Sequence, residues 1–460
     1  MPGASIVIDD STDEIAIERD LHMLAHNREV FFLRMLNIFV DNEFGSKFFG
    51  TSNITNQWIV DCLIDKNEEF NQIRGNSKIL SMDGYDISGG KGFLSKVYKT
   101  TITFENNGET YVFVTKIPGT EAITFLFDNV RIEDETAPEL PSIEDQVTAN
   151  LHNREVEFYD KLIKILPGLQ VPKCFGFQKW IVGKQEGCIL MEYLGEKAMM
   201  TDSFIPFTLE QTKSVLDQIF ILQSKSLINK HVWKGKYPSM MENSDTTFVL
   251  ACFEGSWNLI KSFVTEDMYK DIDEDAINLA MNHEQISLNN RETMLHNSEK
   301  TITHGDMWCN NLCRKNDQSS NELGVIIDWQ TFSEGSLLCD IACTLVLNTT
   351  SEIRRHCFEF ILPEYFGKLK MCMEQNNIEF KMTWEECIVQ YHYSVCEQAI
   401  IYVVGTKMLV DSFAISGKLE DDIWKDKLHN LGVNVCLAMR EAIEIAKRLK
   451  PEWLVRKNVE

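Results

Sequence analysis

Two short segments constrain most of what this 460-residue chain can become. The first, Thr303-His304-Gly305-Asp306-Met307-Trp308-Cys309-Asn310-Asn311, has the form H-G-D-x-x-x-x-N. The second, Val325-Ile326-Ile327-Asp328-Trp329-Gln330, closes an apolar run with an aspartate 22 positions after the first one. This is the layout of a phosphoryl-transfer site. A carboxylate that accepts a hydroxyl's hydrogen bond orients it and takes its proton as the phosphoryl group moves, and Asp306 is the candidate for that base. Magnesium is a hard cation that takes oxygen ligands, usually with substrate phosphates completing the shell. Asn311 and Asp328 supply such oxygens, and residues 325–327 read as the strand that delivers Asp328. His304 reads as a brace for the loop rather than as the base. An isolated H-x-D would mean little; the joined pattern is specific.

Upstream, Ser88-Gly89-Gly90-Lys91-Gly92-Phe93-Leu94-Ser95 is glycine-rich. Glycines let a backbone approach phosphates, and free amides bind them, so Gly89, Gly90 and Gly92 are candidates for the nucleotide loop. Gly-rich hairpins are common, and no Walker A spacing follows. Residues 100–104 and 111–116 are β-branched and aromatic, separated by Asn106-Asn107-Gly108, which signals a hairpin. Lys116, at the end of the second strand, is the best candidate for a phosphate-contacting lysine. A lysine in apolar surroundings needs a counter-charge, which Glu155 of Asn153-Arg154-Glu155-Val156-Glu157-Phe158-Tyr159 can supply. Glu157 competes with it: on a helix the two stand about 200° apart, so only one faces a given side.

The rest of the chain divides by pattern. Residues 1–13 read as disordered and 14–44 as a helical extension. Residues 129–146 are acidic, carry Pro138 and Pro141, and read as a loop; 153–166 return to helical spacing. Thr208 and Gln211 form a capping box for a helix to about Ser226. Further helices are expected within 245–295, 336–348, 351–376, 383–412 and 420–449. A β-rich first part, a short connector and a helical second part suggest two lobes with a cleft. The expected division is an extension at 1–48, a nucleotide-binding lobe at 49–194, and a catalytic and acceptor-binding lobe at 195–460.

Bulk properties exclude some classes. The net charge of -24 argues against nucleic acid or an anionic membrane as partner, since both are polyanions. No apolar run is long enough for a bilayer span. Thirteen scattered cysteines and no secretory signal suggest a reduced, cytoplasmic protein. Cys309, Cys313, Cys339 and Cys343 make two C-x-x-x-C pairs that could suggest zinc. Cys309 lies inside the catalytic-loop motif, however, and Cys339 and Cys343 lie in an apolar helix-like run, so ordinary packing is the preferred reading.

These residues resemble the protein-kinase-like small-molecule kinases, the group of choline kinases and aminoglycoside phosphotransferases. Within it the chain resembles the ecdysteroid-kinase-like (CHK kinase-like) family, nematode branch. The resemblance is carried by His304-Gly305-Asp306-x-Trp308-x-Asn310-Asn311, Ile327-Asp328-Trp329-Gln330, Asp340-Ile341-Ala342 and residues 153–159. It implies an α+β, bilobal protein-kinase-like fold with a β-rich N-lobe and a mostly helical C-lobe. It further implies ATP and magnesium as cofactors, Asp306 as base, Asn311 and Asp328 on magnesium, and Lys116 on phosphates paired with Glu155. The connector Met191-Glu192-Tyr193-Leu194 would present backbone to adenine, and Asp340 would brace the catalytic loop. Lys116 and Glu155 lie 39 positions apart with the acidic segment between them, a departure that bears on their pairing. Trp329-Gln330 replaces the Phe-Gly of protein kinases and no A-P-E-like segment follows, which disfavours a protein substrate.

The function expected is an ATP- and magnesium-dependent kinase acting on a small-molecule alcohol: steroid-like, glucoside or xenobiotic. No protein partner is expected. The acidic balance would also suit a cationic alcohol. The alternative is a catalytically inactive pseudokinase serving as a binding module. A structural role built on the N-terminal helix is a weaker third reading.

Overall fold

The computed structural model describes residues 42–88, 94–105, 108–120, 143–239, 247–296, 299–316, 320–414 and 422–456. The expected disordered start, nearly all of the N-terminal helical extension, Gly89, Gly90 and Gly92, the Asn106-Asn107 turn and most of the acidic segment lie outside them. The chain folds as two compact units. One comprises residues up to Gly119 with Lys173–Tyr193; the other comprises Thr120–Pro172 with Leu194–Glu460.

The first unit is built on five antiparallel strands in the order β1-β2-β3-β5-β4. They are β1 (Ile79–Asp86), β2 (Ser95–Phe104), β3 (Thr110–Pro118), β4 (Cys174–Gln178) and β5 (Cys188–Glu192). The hairpin expected from residues 100–116 is the β2–β3 pair, in register from Ser95↔Pro118 to Thr103↔Thr110. Side chains alternate across a strand, so Tyr111 and Phe113 share one face. There they join Phe70, Ile102, Phe104, Leu190 and the apolar side of helix Asn56–Lys66 in one core. That helix and the following one, Glu68–Arg74, are elements the sequence reading leaves unassigned, as is β1. Each helix is capped at its N-terminus by a side chain, Thr55 and Asn67 respectively. Lys116 lies two positions from Val114 on the opposite face of β3, facing Val97 of β2 and Ile189 of β5 in the register.

The second unit is mostly helical. Its helix Ile143–Glu157 begins inside the segment expected to be a loop. Glu144 and Asp145 occupy its first turn, where carboxylates are favoured by the helix dipole; acidity there marks a helix start, not a loop. The helix continues as a π-turn over Phe158–Leu162. Helix Leu209–Ile228 starts on the expected capping box, with both reciprocal bonds formed. Helices Thr247–Lys261, Asp273–Met281, His283–His296, Cys339–Asn348, Ser351–His356, Leu362–Gln375, Trp384–Ala414 and Asp422–Leu449 fall where helical spacing put them. Among these helices lie five short strands: β6 (Ala198–Met199), β7 (Lys300–Thr303), β8 (Leu312–Lys315), β9 (Leu323–Ile326) and β10 (Ser333–Ser336). The architecture is thus the expected α+β class, with an antiparallel sheet in one unit and helices dominating the other. No helix among the described residues is long and apolar enough to cross a membrane.

The capping box gives a direct test. Thr208→Ala removes the acceptor for the Gln211 amide and should lower unfolding free energy by about 1 kcal/mol. Urea denaturation followed by circular dichroism measures it.

Candidate active site

Strand register brings the two sequence motifs together. The segment 304–311 joins β7 to β8, and 327–332 joins β9 to β10. β7 pairs with β10, placing Thr303 opposite Ser333, and β8 pairs with β9, placing Leu312 opposite Ile326. Both ends of both loops are therefore held side by side. The Ile327 amide adds a bond to the Asn311 carbonyl at 3.0 Å.

The first loop is clamped from below by Asp340, in the first turn of helix Cys339–Asn348. One carboxylate oxygen accepts the His304 amide at 2.8 Å and the other the Gly305 amide at 2.9 Å. The Asp340 side chain is fully buried. Burial pushes its pKa up to about 6, against the opposing pull of those two amides. Gly305 has φ +83°, and a Cβ there would meet the Thr331 carbonyl oxygen at 2.9 Å, so the position demands glycine. The buried His304 ring spans the two loops. Its Nδ1 accepts the Asp306 amide at 3.2 Å. Nε2 must then carry the proton, which it donates to the Ile327 carbonyl at 3.0 Å. This neutral tautomer is committed on both sides, as a brace is and a base is not.

Asp306 carries the perturbed charge. Its Oδ2 and its carbonyl each accept Asn311 Nδ2 at 2.9 Å. Burial, and then the neighbouring Asp328 carboxylate, push the Asp306 pKa up to about 7; the Asn311 bond pulls the other way. Asp328 has φ 65° and ψ 65°, a left-handed conformation in which aspartate is tolerated at a cost, and Gln330 Nε2 bonds its Oδ2 at 3.2 Å. The donor chemistry here fits magnesium. With Asn311 Nδ2 given to Asp306, its amide oxygen is the group left for a cation, and the adjoining carboxylates are hard oxygen donors.

The loop that carries Asp328 is held by Trp329. That residue is fully buried and stacks on Phe158 with ring centroids 3.9 Å apart and planes 7° from parallel. Its indole Nε1–H bonds the Ile326 carbonyl at 3.2 Å. Sequence reasoning missed Phe158 in this role, along with two further supports. Thr331 Oγ1 donates to the His304 carbonyl at 2.9 Å, and Asn348 Nδ2 donates to the Met307 carbonyl at 2.9 Å. A signal existed for Asn348: it is the polar end of an otherwise apolar helical run.

The remaining candidates are distributed over both units. Lys116 is buried on β3, and Glu155 is buried on helix Ile143–Glu157 of the second unit. Glu157 instead pairs with Lys161 one helical turn on, so Glu155 is the buried member of the two glutamates. Glu192 ends β5, with its amide bonded to the Lys173 carbonyl at 2.9 Å and its carboxylate accepting the Lys173 amide at 3.3 Å. The Tyr193 ring lies 4.9 Å from Lys99 Nζ. Gly89, Gly90 and Gly92 lie outside the described residues.

Comparison with known proteins adds the following. A family model described as "Uncharacterized oxidoreductase dhs-27" (DUF1679) matches residues 71–431. The curated protein of that name from Caenorhabditis elegans is 26% identical over 392 residues, covering 79% of this chain. The chain spans 44% of that protein's length. Among solved structures the chain is similar to three small-molecule kinases. Choline kinase from Cryptosporidium parvum Iowa II is 13% identical, with 86% of this chain and 99% of that chain covered and a TM-score of 0.43. Plasmodium vivax ethanolamine kinase is 11% identical, covering 87% and 97%, with a TM-score of 0.37. A macrolide 2'-phosphotransferase from Brachybacterium faecium is 10% identical, covering 79% and 95%, with a TM-score of 0.32.

The raised pKa of Asp306 has a consequence for stability. In the folded, ligand-free chain this carboxyl holds its proton to about pH 7, whereas an unfolded aspartate releases it near pH 4. Folding therefore takes up a proton in that window, and the group's contribution to stability is lost as pH rises through it. Asp340, raised to about 6, acts in the same direction. Asp306→Asn should be more stable than the natural chain at pH 8, on the order of a few kcal/mol, with the difference shrinking towards pH 5. Urea titrations at both pH values without nucleotide or divalent cation check this.

Proposed function

We propose that this chain, which belongs to the DUF1679 family, is a phosphotransferase that moves the γ-phosphoryl group of ATP to the hydroxyl of a small molecule. The observation that carries the reading is the Asp306 carboxylate. It accepts a hydrogen bond from Asn311, and burial, then the nearby Asp328, raises its pKa, on a loop braced by the Asp340 carboxylate. The resemblance to ecdysteroid-kinase-like enzymes supports a steroid-like, glucoside or xenobiotic alcohol as acceptor.

In this reading the acceptor hydroxyl donates its hydrogen bond to Asp306, which takes the proton as the new oxygen–phosphorus bond forms and the bond to ADP breaks. A carboxyl with a pKa near 7 is poised for that exchange at neutral pH. Asn311 and Asp328 would hold Mg2+, which when bound neutralises charge on the transferring phosphoryl group. Lys116 would contact the phosphates and Glu155 would orient it. Gly89, Gly90 and Gly92 would cover the phosphates, and the connector at Glu192 and Tyr193 would meet the adenine. Trp329, buried and stacked on Phe158, keeps Asp328 in place and supports a site fixed before substrate arrives.

The test is an untargeted mass-spectrometric search for phosphorylated metabolites formed by the chain with ATP and Mg2+, using Asp306→Asn as control. Phosphorylated products are expected from the natural chain, falling at least about 100-fold in the variant. Their kcat/KM should drop as pH falls below about 7, the pKa of the free Asp306 carboxyl, because the base must be deprotonated to act. Equal product from both proteins would sink the proposal. Binding of Mg2+-ATP with no product from any alcohol would favour the inactive binding module. Turnover of a nicotinamide cofactor in a parallel assay would favour the activity named for the curated relative.

A further inference from the structure

Beside the loop that carries Asp306, an ammonium of the chain itself lies against an aromatic ring and a carboxylate. Segment 201–204 lies directly on the turn that follows Asp306. Thr201 Oγ1 donates to the Leu312 carbonyl at 3.1 Å, and the Ser203 hydroxyl bonds the Asn310 side chain. Between them stands Asp202. Its Oδ1 accepts the Phe204 amide at 3.0 Å, and its carbonyl accepts the Ile205 amide at 3.0 Å, so the carboxylate is held in a tight turn. Its Oδ2 accepts Lys427 Nζ at 2.6 Å.

Lys427 comes from helix Asp422–Leu449, one turn after Trp424, a spacing that puts both on one side of the helix. Its ammonium lies 5.0 Å from the Trp424 ring centroid, within the range of a cation–π contact. The Phe204 and Trp424 rings make a T-shaped pair, with centroids 5.1 Å apart and planes 88° apart. A tryptophan face with a carboxylate beside it is what binds a quaternary ammonium. Lys427 supplies that cation internally. Met200 and Ile205, flanking segment 201–204, and Ile423, next to Trp424, are exposed apolar residues.

We propose that Lys427 is a specificity-determining residue: its ammonium fills the pocket made by Trp424 and Asp202, so the pocket rejects cationic alcohols and the acceptor is uncharged or anionic. The statement about the acceptor rests on the phosphotransferase reading; the statement about the pocket does not. Excluding a competitor by occupying its site is a recognised route to specificity.

The test measures binding and turnover separately on the full chain. Tetramethylammonium and choline serve as cationic probes in calorimetry, and 3,3-dimethylbutan-1-ol as the neutral isostere of choline. Lys427→Met should raise affinity for both cations at least tenfold over the natural chain, with no comparable gain for the neutral alcohol. Adding Asp202→Asn or Trp424→Leu to that chain should cancel the gain. Lys427→Gln, which keeps a polar tip, is the second variant should Lys427→Met fold poorly. Equal cation affinity in the natural chain and the folded variants would overturn the proposal, as would a gain that survives Trp424→Leu. Because binding needs no turnover, a cation gain upholds the pocket whatever the chain phosphorylates, while equal product from the natural chain and Asp306→Asn in the metabolite search would count against the phosphotransferase reading alone.

Discussion

The site depends on two short antiparallel pairs. Thr303 faces Ser333 across β7 and β10, and Leu312 faces Ile326 across β8 and β9. These four strands have only four residues each, too few to be stable alone. Their effect is to tie the start of one loop to the end of the other. Side-chain period in a strand is two, so a slip of one residue would turn every side chain over. Register is what makes two aspartates 22 positions apart in sequence neighbours in space.

Charge is the cost of that arrangement. A fully buried carboxylate such as Asp340 is tolerated only when hydrogen-bonded, and its two oxygens meet the two amides that open the 304–311 loop. Asp306 is not satisfied in the same way. Asn311 donates to its side chain, while burial, and then the neighbouring Asp328 carboxylate, disfavour its charge. The rise of its pKa to about 7 is the physical record of that conflict, and such conflicts cluster at functional sites. The fold offsets the cost elsewhere, in the buried stack of Phe158 on Trp329 and the T-shaped pair of the His304 and Trp329 rings, centroids 4.6 Å apart.

What could be read from sequence follows from how local each signal is. The capping box at Thr208 and Gln211 is a four-residue signal and gave the helix start correctly. The Asn-Asn-Gly hairpin and the loop motifs are equally local. The helices at 56–66 and 68–74 are short; the first carries a helical stripe, Ile59, Val60, Leu63 and Ile64, but the sheet face on which both pack is revealed only by the fold. The acidic segment misled at its end, since carboxylates mark both loops and helix starts. Asp340 was legible through the family resemblance, while Phe158 and Thr331 were not. Stacking and a hydroxyl bond to a carbonyl depend on approach across sequence separations of 171 and 27 residues, and no spacing rule encodes either.

Asp328 shows why the residues after it differ from a mobile switch. Its backbone is left-handed, a conformation glycine would adopt without cost, yet an aspartate stands there. Such strain persists only where the surroundings over-determine it. Here they do: Ile327 is bonded to Asn311 and His304 on one side, and Trp329 is buried, stacked and hydrogen-bonded on the other. A phenylalanine followed by glycine could swing out of such a loop; a tryptophan committed on its face, in a second ring contact with His304 and at its indole nitrogen is held far more firmly. The residue that stores the strain and the residue that locks it are adjacent in sequence, so positioning of Asp328 is a property of the folded chain before any ligand binds.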